Sequence, residues 1–243
     1  NISMKVLTNA LKGSRTIVFF DFEGTQFSQE IVALGAIKVD IDEKNQIMKK
    51  YNSFKVYIKA NDKIGPIVSN ITGLTDKFIL ENGIEYKEAL DKFQKYIGNI
   101  SKDIKFISYG NFDMRLLHCT NEINNINDNE LTTKIFKNYI DFSSILKIFV
   151  KSYKNETLSL VDALKVFKVT PKKDIHNPET DAINLMMLYE AFLKNKKILK
   201  EEYTKVIQKY TSFPAPIAKT LSKLYKEGKV TIDDFNEFIE DEL

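Results

Sequence analysis

The feature that most constrains this fold is a short apolar run near the start of the chain that ends in two carboxylates. Residues 16–22 are mostly β-branched or aromatic, and the run is too short to form a stable helix. We therefore expect a buried central strand. Asp21 and Glu23 stand at its end, so the sequence places a pair of carboxylates at the edge of a sheet.

The residues that follow predict a mixed α/β domain. Residues 71–75 contain Gly73 and predict a loop or a short helix. The other expected elements, in chain order, are strands at 31–39 and 51–58 joined by a polar hairpin turn at 40–45, a helix at 85–97, a strand at 104–109, a helix from about Phe112, a short strand at 139–142, and a helix at 145–150 capped by Ser143 or Ser144. This order favours a five-stranded sheet flanked by helices.

The end of the chain predicts a small helical appendage. Helical stripes occur at 201–210 and 217–225, and Thr231 begins a last acidic helix. We expect a main domain at 1–197 and a helical extension at 198–243. The expected role of this extension is to cover an exposed face of the main domain, and a role in steering a substrate or a partner stays open.

Composition narrows the class of protein. The chain has 243 residues, 43% of them apolar, which is enough to bury a full core. Its net charge of +3 comes almost entirely from Lys, since Arg15 and Arg115 are the only arginines, so charge alone is weak support for nucleic-acid binding. Cys119 is the single cysteine, which excludes an internal disulfide framework and favours a cytoplasmic protein. No membrane span or secretory signal is expected, and Met4 is the expected natural start.

The segment from His176 to Asp181 has the clearest local pattern. Asn177 is a good N-cap and Pro178 a good first helical residue, so a helix should begin there. Asp181 then lies in the first turn. It shares a stripe with three apolar residues, Leu185, Leu188 and Phe192, and should therefore point inward. His176 precedes the cap, where a mobile imidazole with a near-neutral proton affinity suits deprotonation of a water.

Four carboxylates and this histidine form a plausible catalytic set: Asp21, Glu23, Asp113, Asp181 and His176. Carboxylate oxygens are the ligands that Mg²⁺ and Mn²⁺ prefer, and a pair of such ions can stabilise both the attacking and the leaving oxygen of an in-line displacement. The expected cofactors are two divalent cations, Mg²⁺ or Mn²⁺. The expected chemistry is hydrolysis of phosphodiesters.

Other polar residues favour simpler interpretations. Asp141 also ends a predicted strand, but Ser143 and Ser144 follow it, so a capping or turn role is favoured over a fifth ligand. His118 follows two leucines in a helix and is expected to be structural. Lys172 and Lys173 could touch a phosphate backbone, although a lysine pair in a lysine-rich chain is usually just solvated.

At these positions the chain resembles the DEDDh family of 3′-to-5′ exonucleases, relatives of the DnaQ proofreading subunit. The matching residues are Asp21-x-Glu23, Asp113, and His176 followed five positions later by Asp181. The surrounding sequences, Phe-Asp-Phe-Glu-Gly-Thr and Ser-Tyr-Gly-Asn-Phe-Asp, look most like the branch of Eri-1-type RNA-trimming exonucleases and the sporulation inhibitor KapD. Tyr109, where that branch usually has Trp, and Gly24, where a bulkier residue is common, depart from the pattern.

The resemblance implies a ribonuclease H-like fold and a role for each residue. Asp21 would bridge both metals, Glu23 and Asp181 would hold the ion that activates water, Asp113 would support the second ion, and His176 would accept the proton. Residues implied around the terminal nucleotide are Gly24, Thr25, Ile71, Leu74 and Asn111.

The implied substrate is a nucleic acid with a free 3′ end. The family match favours single strands, and RNA somewhat over DNA, without deciding between RNA and DNA. A second function class stays open: a nucleic-acid-binding or regulatory protein of the KapD type that keeps the site and acts through a partner.

Overall fold

The structure, a computed structural model, describes residues 4–101, 103–174, 176–209 and 212–243. One mixed sheet contains five strands: β1 (Thr16–Gly24), β2 (Ile31–Ile41), β3 (Ile47–Tyr57), β4 (Ile104–Ser108) and β5 (Tyr139–Asp141). Their order across the sheet is β3-β2-β1-β4-β5. The β1–β2 and β2–β3 pairs are antiparallel, whereas the β1–β4 and β4–β5 pairs are parallel. The predicted five-stranded mixed sheet is confirmed.

Helices flank this sheet on both sides and continue beyond it. Within the described ranges they are α1 (Lys5–Leu11), α2 (Pro66–Thr72), α3 (Asp76–Asn82), α4 (Tyr86–Ile97), α5 (Phe112–Ile123), α6 (Glu130–Lys137), α7 (Phe142–Phe149), α8 (Leu160–Val166), α9 (Pro178–Lys194), α10 (Lys196–Gln208), α11 (Ala215–Glu227) and α12 (Ile232–Glu240). The sequence patterns did not predict α1, α3, α6 and α8, each of which is only about two turns long.

The core has a layer on each face of the sheet, because successive residues of β1 point in opposite directions. Ile17 and Phe19 belong to a cluster that includes residues of α7, α8 and α9. Val18, Phe20 and Phe22 belong to a second cluster with residues of α4, α5 and α6. Burial of both faces explains why β1 is a nearly continuous apolar run.

Several predicted boundaries differ from the structure: β2 runs to Ile41 and β3 begins at Ile47, so the hairpin turn is shorter than the predicted 40–45, and β4 and β5 each end one residue earlier than predicted. Two further differences lie near the carboxylates. Strand β1 extends to Gly24, past the predicted end at Phe22, because its ladder with β2 continues through Glu23 and Ala33, so Glu23 lies within the strand together with Asp21. Helix α7 begins at Phe142, and its N-cap is Asp141, whose carboxylate accepts a bond from the Ser143 N–H. The expected cap at Ser143 or Ser144 was wrong, since the preceding carboxylate occupies that role.

The end of the chain is helical, as expected. Helix α10 runs across the expected boundary between residues 197 and 198, and Leu199 is buried in the same cluster as α9. The predicted end of this helix at Tyr210 lies outside the described residues. In the part of the chain that the structure describes, no helix combines the length and the apolar character needed to cross a membrane.

Candidate active site

The two carboxylates of β1 point toward α9. Asp21 and Glu23 continue the alternation of Ile17 and Phe19, whose side chains pack in the cluster that contains the buried face of α9. Both carboxylates are partly buried. The same alternation that buries the apolar half of the strand therefore delivers both acids to one face, at the end where α9 begins.

Asp113 reaches the same strand from α5. It lies in the first turn of that helix, is 5% exposed, and its Oδ1 accepts a hydrogen bond from the Phe22 N–H at 2.8 Å. The parallel ladder between β1 and β4 ends at Phe19 and Ile107, so beyond it a side chain can bond the edge of β1. Asp113 thus contacts the backbone between Asp21 and Glu23.

The start of α9 supplies the third motif. Asn177 caps the helix by accepting the Glu179 N–H through its side chain, as predicted. Asp181 Oδ2 accepts a bond from the backbone N–H of His176 at 3.0 Å. One ligand atom from each of Glu23, His176 and Asp181 lies within 4.8 Å of the other two. Motifs distant in sequence therefore converge at the end of β1.

Gly35 allows α9 to lie this close to the sheet. It is the register partner of Asp21 on β2, and a Cβ at this position would lie 2.1 Å from both Glu179 N and the Pro178 carbonyl carbon. Glu179 also accepts a 2.6 Å bond from the Ser53 hydroxyl on β3. The sequence analysis missed this glycine, although a glycine inside a strand is a known sign of close backbone approach.

Burial and the mutual repulsion of their charges raise the pKa values of the four carboxylates. Burial, followed by the charges of Asp113, Glu23 and Asp181, raises the pKa of Asp21 well above its ordinary value. Burial and the charges of Asp181 and Asp113 raise the pKa of Glu23 to about 8. Burial raises the pKa of Asp113 to about 7 despite the bond from Phe22 N–H. Burial also raises the pKa of Asp181, against the opposing bond from the His176 N–H.

This arrangement suits divalent cations. Mutual repulsion and burial dominate the environment of these acids, so positive charge among them would relieve an unfavourable concentration of negative charge. The available donors are carboxylate oxygens with one nearby imidazole, which is a donor set that Mg²⁺ and Mn²⁺ accept. The residues present therefore fit the cations that the sequence predicts.

The residues expected around a terminal nucleotide are in different environments. Ile71 and Asn111 are exposed, and Leu74 is partly buried. A Cβ on Gly24 would lie 2.4 Å from Leu116 Cδ2, so internal packing accounts for the glycine. Thr25 is 2% exposed, its N–H donates to the Glu30 carbonyl and its hydroxyl accepts the Glu30 N–H. These bonds give Thr25 a structural role in shaping the loop after β1.

The residues for which the sequence favoured simpler roles lie in different environments. The Asp141 side chain accepts bonds from Gly110 N–H, Ser143 N–H and both serine hydroxyls at 143 and 144. These bonds are those of a cap, and they also hold the loop before α5. His118 is exposed on α5. The side chains of Lys172 and Lys173 are exposed just before His176.

Comparison with known proteins finds similarity to a DNA polymerase subunit and to several nucleases. No protein-family model matches the chain. The chain is 28% identical over 183 residues to the DNA polymerase III subunit epsilon of Buchnera aphidicola, covering 72% of this chain and 71% of that protein.

Solved structures agree with this result. The nuclease domain of 3′hExo, a DEDDh family member bound to rAMP, superposes with a TM-score of 0.62 at 16% identity, covering 75% of this chain and 94% of that one. Exonuclease I superposes with a TM-score of 0.58 at 14% identity, covering 80% of this chain and 44% of that one. The neighbours include enzymes described with RNA and with DNA. The chain therefore has the ribonuclease H-like fold that these exonucleases share, which confirms the predicted fold class, and the comparisons do not separate the Eri-1 branch from the other exonucleases.

Proposed function

We propose that this chain is a metal-dependent 3′-to-5′ exonuclease that releases nucleoside 5′-monophosphates from single-stranded ends. The observation that carries the proposal is the convergence of ligand atoms of Glu23, His176 and Asp181 within 4.8 Å. Asp21 lies on the same strand as Glu23, and Asp113 on α5 is hydrogen-bonded to that strand. All five family positions hold the residue types that the chemistry needs, which favours an enzyme over a purely regulatory protein.

The four carboxylates would hold two divalent cations, Mg²⁺ or Mn²⁺. Asp21, Glu23 and Asp181 lie at the meeting of β1 and α9, and Asp113 approaches from α5. When bound, such cations stabilise the negative charge that develops on the attacked phosphate. The chain contributes by fixing these ligands on one strand and at the starts of two helices.

His176 would accept the proton of the attacking water. Its side chain is exposed at the mouth of the site, within reach of Glu23 and Asp181. Its backbone bond to Asp181 fixes where the side chain begins, while the imidazole itself remains accessible to solvent. These are the properties that a general base needs, because it must reach the reacting water and then release the proton.

The substrate would approach over α2 and the loop that follows it. Ile71 is 50% exposed at the end of α2, and Gly73, with a φ of 75°, ends that helix before Leu74. We propose that Ile71 and Leu74 pack on the terminal sugar and base, and that Asn111 and the backbone at Gly24 complete this wall. RNA is favoured over DNA by the resemblance to RNA-trimming enzymes, and the single cysteine favours a cytoplasmic location.

Degradation of end-labelled oligonucleotides tests this function. Single- and double-stranded RNA and DNA of one sequence are incubated with Mg²⁺, with Mn²⁺ or with excess chelator. We expect nucleoside 5′-monophosphates from single strands, fastest from RNA, and no product in chelator. Full activity in chelator would contradict the metal site, and binding without turnover under every condition would favour the regulatory alternative.

A further inference from the structure

A buried asparagine on α9 is bonded to the loop that carries His176. Asn184 is fully buried. Its Oδ1 accepts the backbone N–H of Lys172 at 2.8 Å, and its Nδ2 donates to the carbonyl oxygen of the same residue at 3.4 Å. A buried amide needs partners for both of its ends, and here the main chain of one loop residue supplies both.

The loop between Lys172 and His176 is tied to α9 at each end. Asn184 bonds the main chain at Lys172, and Asp181 accepts the backbone N–H of His176. Two residues of this stretch are left-handed: Asp174 has a φ of 72°, and His176, which makes the second bond, has a φ of 65°. Side chains with a Cβ rarely adopt this conformation without support from surrounding structure. The bonds at the two ends provide such support.

We propose that Asn184 is a positioning residue that sets where His176 stands over the carboxylates. Asn184 lies one turn beyond Asp181 on the same helix, so a single rigid element fixes a metal ligand and the far end of the histidine loop. The inference rests on the proposed function for its kinetic consequence. Its structural part, the dependence of the His176 environment on Asn184, stands apart from activity.

The kinetic test compares Asn184→Leu, His176→Ala and the double variant on a single-stranded oligonucleotide. Leu has a similar volume and removes both bonds. We expect kcat of Asn184→Leu to fall about 10- to 100-fold, as is typical when a supporting partner is removed, with KM changed less than about 3-fold. In the His176→Ala background the same substitution should cost less than about 2-fold, because the two changes act through one group. Full additivity would overturn the proposal.

A spectroscopic test needs no activity. The chain has two histidines, so proton NMR of the imidazoles gives separate signals for His176 and His118. Asn184→Leu should shift or broaden the His176 signals and leave those of His118 unchanged. If Asn184→Leu does not fold, Asn184→Asp, which keeps an acceptor for the Lys172 N–H, should give a smaller change of the same kind. Unchanged His176 signals in a folded variant would overturn the proposal.

The matched control is Asn121→Leu. Asn121 is a buried asparagine on α5 whose Oδ1 accepts the Tyr86 hydroxyl at 2.6 Å, so it supports a helix that carries a site residue without touching the histidine loop. We expect lower stability with kcat and the His176 signals unchanged. A similar loss of kcat in both variants would show that Asn184 matters only for general stability. An inactive wild-type chain would contradict the proposed function alone, because the NMR comparison still decides the role of Asn184.

Discussion

Asp113 combines a structural bond with its expected role as a metal ligand. Its Oδ1 accepts the Phe22 N–H at 2.8 Å, which ties the start of α5 to the strand that carries Asp21 and Glu23. Burial still raises the pKa of Asp113 to about 7, so one backbone bond does not compensate the buried charge. The fold therefore fixes the position of Asp113, but its negative charge is not balanced by the hydrogen bond and would be stabilised by a bound cation.

The first prediction concerns the four acids. Asp21→Asn, Glu23→Gln, Asp113→Asn and Asp181→Asn should each lower the rate of phosphodiester hydrolysis by roughly 10³-fold or more, because each removes a ligand from cations that contribute several kcal/mol. Folding should persist, since an amide oxygen can still accept the bonds that Asp113 and Asp181 receive. Circular dichroism and a turnover assay measure the two properties. Asp141→Asn is the control, and a folded but inactive Asp141 variant would mean that a cap had been mistaken for a ligand.

The second prediction concerns the histidine. His176→Ala should lower kcat by roughly 10²- to 10⁴-fold and remove the acidic limb of the pH-rate profile, because that limb reports loss of the imidazole proton. Binding of metal and substrate should persist, as titration calorimetry can show. His118→Ala should leave the profile unchanged. An acidic limb that persists in His176→Ala would demote the histidine to a positioning role.

At the scale of single residues, the sequence predicted the candidate catalytic residues better than it predicted the residues that hold them in place. The acids and His176 could be predicted because strand ends, helix caps and spacing mark them. The role of Asn184 could not be predicted, because a single polar residue on a buried helix face has no local sequence pattern. Its partner, the main chain of Lys172, is brought to it by the path of a loop, which the sequence does not show. Nor did the sequence show the bond from the Thr25 N–H to the Glu30 carbonyl, which shapes the loop after β1.

The helix α9 is the element on which the site depends most. Its N-terminus lies against β2 at Gly35, and Glu179 in its first turn contacts Ser53 and Lys55 on β3, with Oε2 at 3.4 Å from the Lys55 amine. These contacts set the height of Asp181 above β1. Any change that lifts this end of the helix should separate Asp181 from Glu23.

The third prediction tests this contact. Gly35→Ala places a methyl group 2.1 Å from backbone atoms of α9, so the helix must shift. We expect a loss of roughly 1–3 kcal/mol in the free energy of unfolding, as is usual for overpacking, with weaker Mn²⁺ binding and lower kcat. Denaturant unfolding and calorimetry measure these effects.

Gly98→Ala is the control for the third prediction. Gly98 has a φ of 87°, so a side chain there strains the backbone, but the nearest neighbour of an added Cβ would be the Lys38 amine at 3.9 Å rather than an atom of α9. This variant should lose stability without losing metal affinity. Unchanged metal binding in a folded Gly35→Ala protein would show that the close packing of α9 on Gly35 does not control the geometry of the site.

Whole elements were predictable where their patterns were long. The cap and stripe of α9 were both confirmed, since Asn177 caps it and Leu185, Leu188 and Phe192 are buried. The short helices α1, α3, α6 and α8 were missed because two turns give too little periodicity to distinguish a helix from a loop. The extension of β1 past Phe22 depends on its ladder with β2, which local propensity does not show.

At the scale of the molecule, the site concentrates negative charge in a chain whose net charge is +3. In the metal-free protein the raised pKa values mean that the folded chain retains protons that the unfolded chain has released. For Glu23 this interval runs from its ordinary value of 4.5 to about 8. The folded state binds more protons there, so its stability must fall as pH rises.

The fourth prediction follows from that sign. In chelator, the free energy of unfolding should decrease between about pH 5 and pH 8, by up to about 4 kcal/mol from Glu23 alone, since each pH unit over which the folded state keeps a proton that the unfolded state has released is worth about 1.4 kcal/mol. Saturating Mg²⁺ should restore stability most at the high-pH end, because cations compete with protons for these ligands. Glu23→Gln should flatten the decrease. Denaturant titrations at several pH values measure it, and a stability that rises over this interval in chelator would contradict the account.

The fold class was predictable because the β-β-β-α-β order and the three motifs agree with one another. The role of the extension at 198–243 was not, because its amphipathic helices fit several packing arrangements equally well. Its first helix, α10, buries Leu199 against the main core. The boundary between domain and extension thus stays a prediction.

The most direct test of the central claim compares a linear single strand with a circle of the same sequence. The account requires a free 3′ end, a divalent cation and the acids of β1. A 5′-labelled linear oligonucleotide should be shortened stepwise in Mg²⁺ or Mn²⁺, while its circular form, a 3′-phosphorylated form and the Asp21→Asn enzyme should give no product. Cleavage of the circle by the wild-type protein would contradict the account, because a circle has no end for the site to bind.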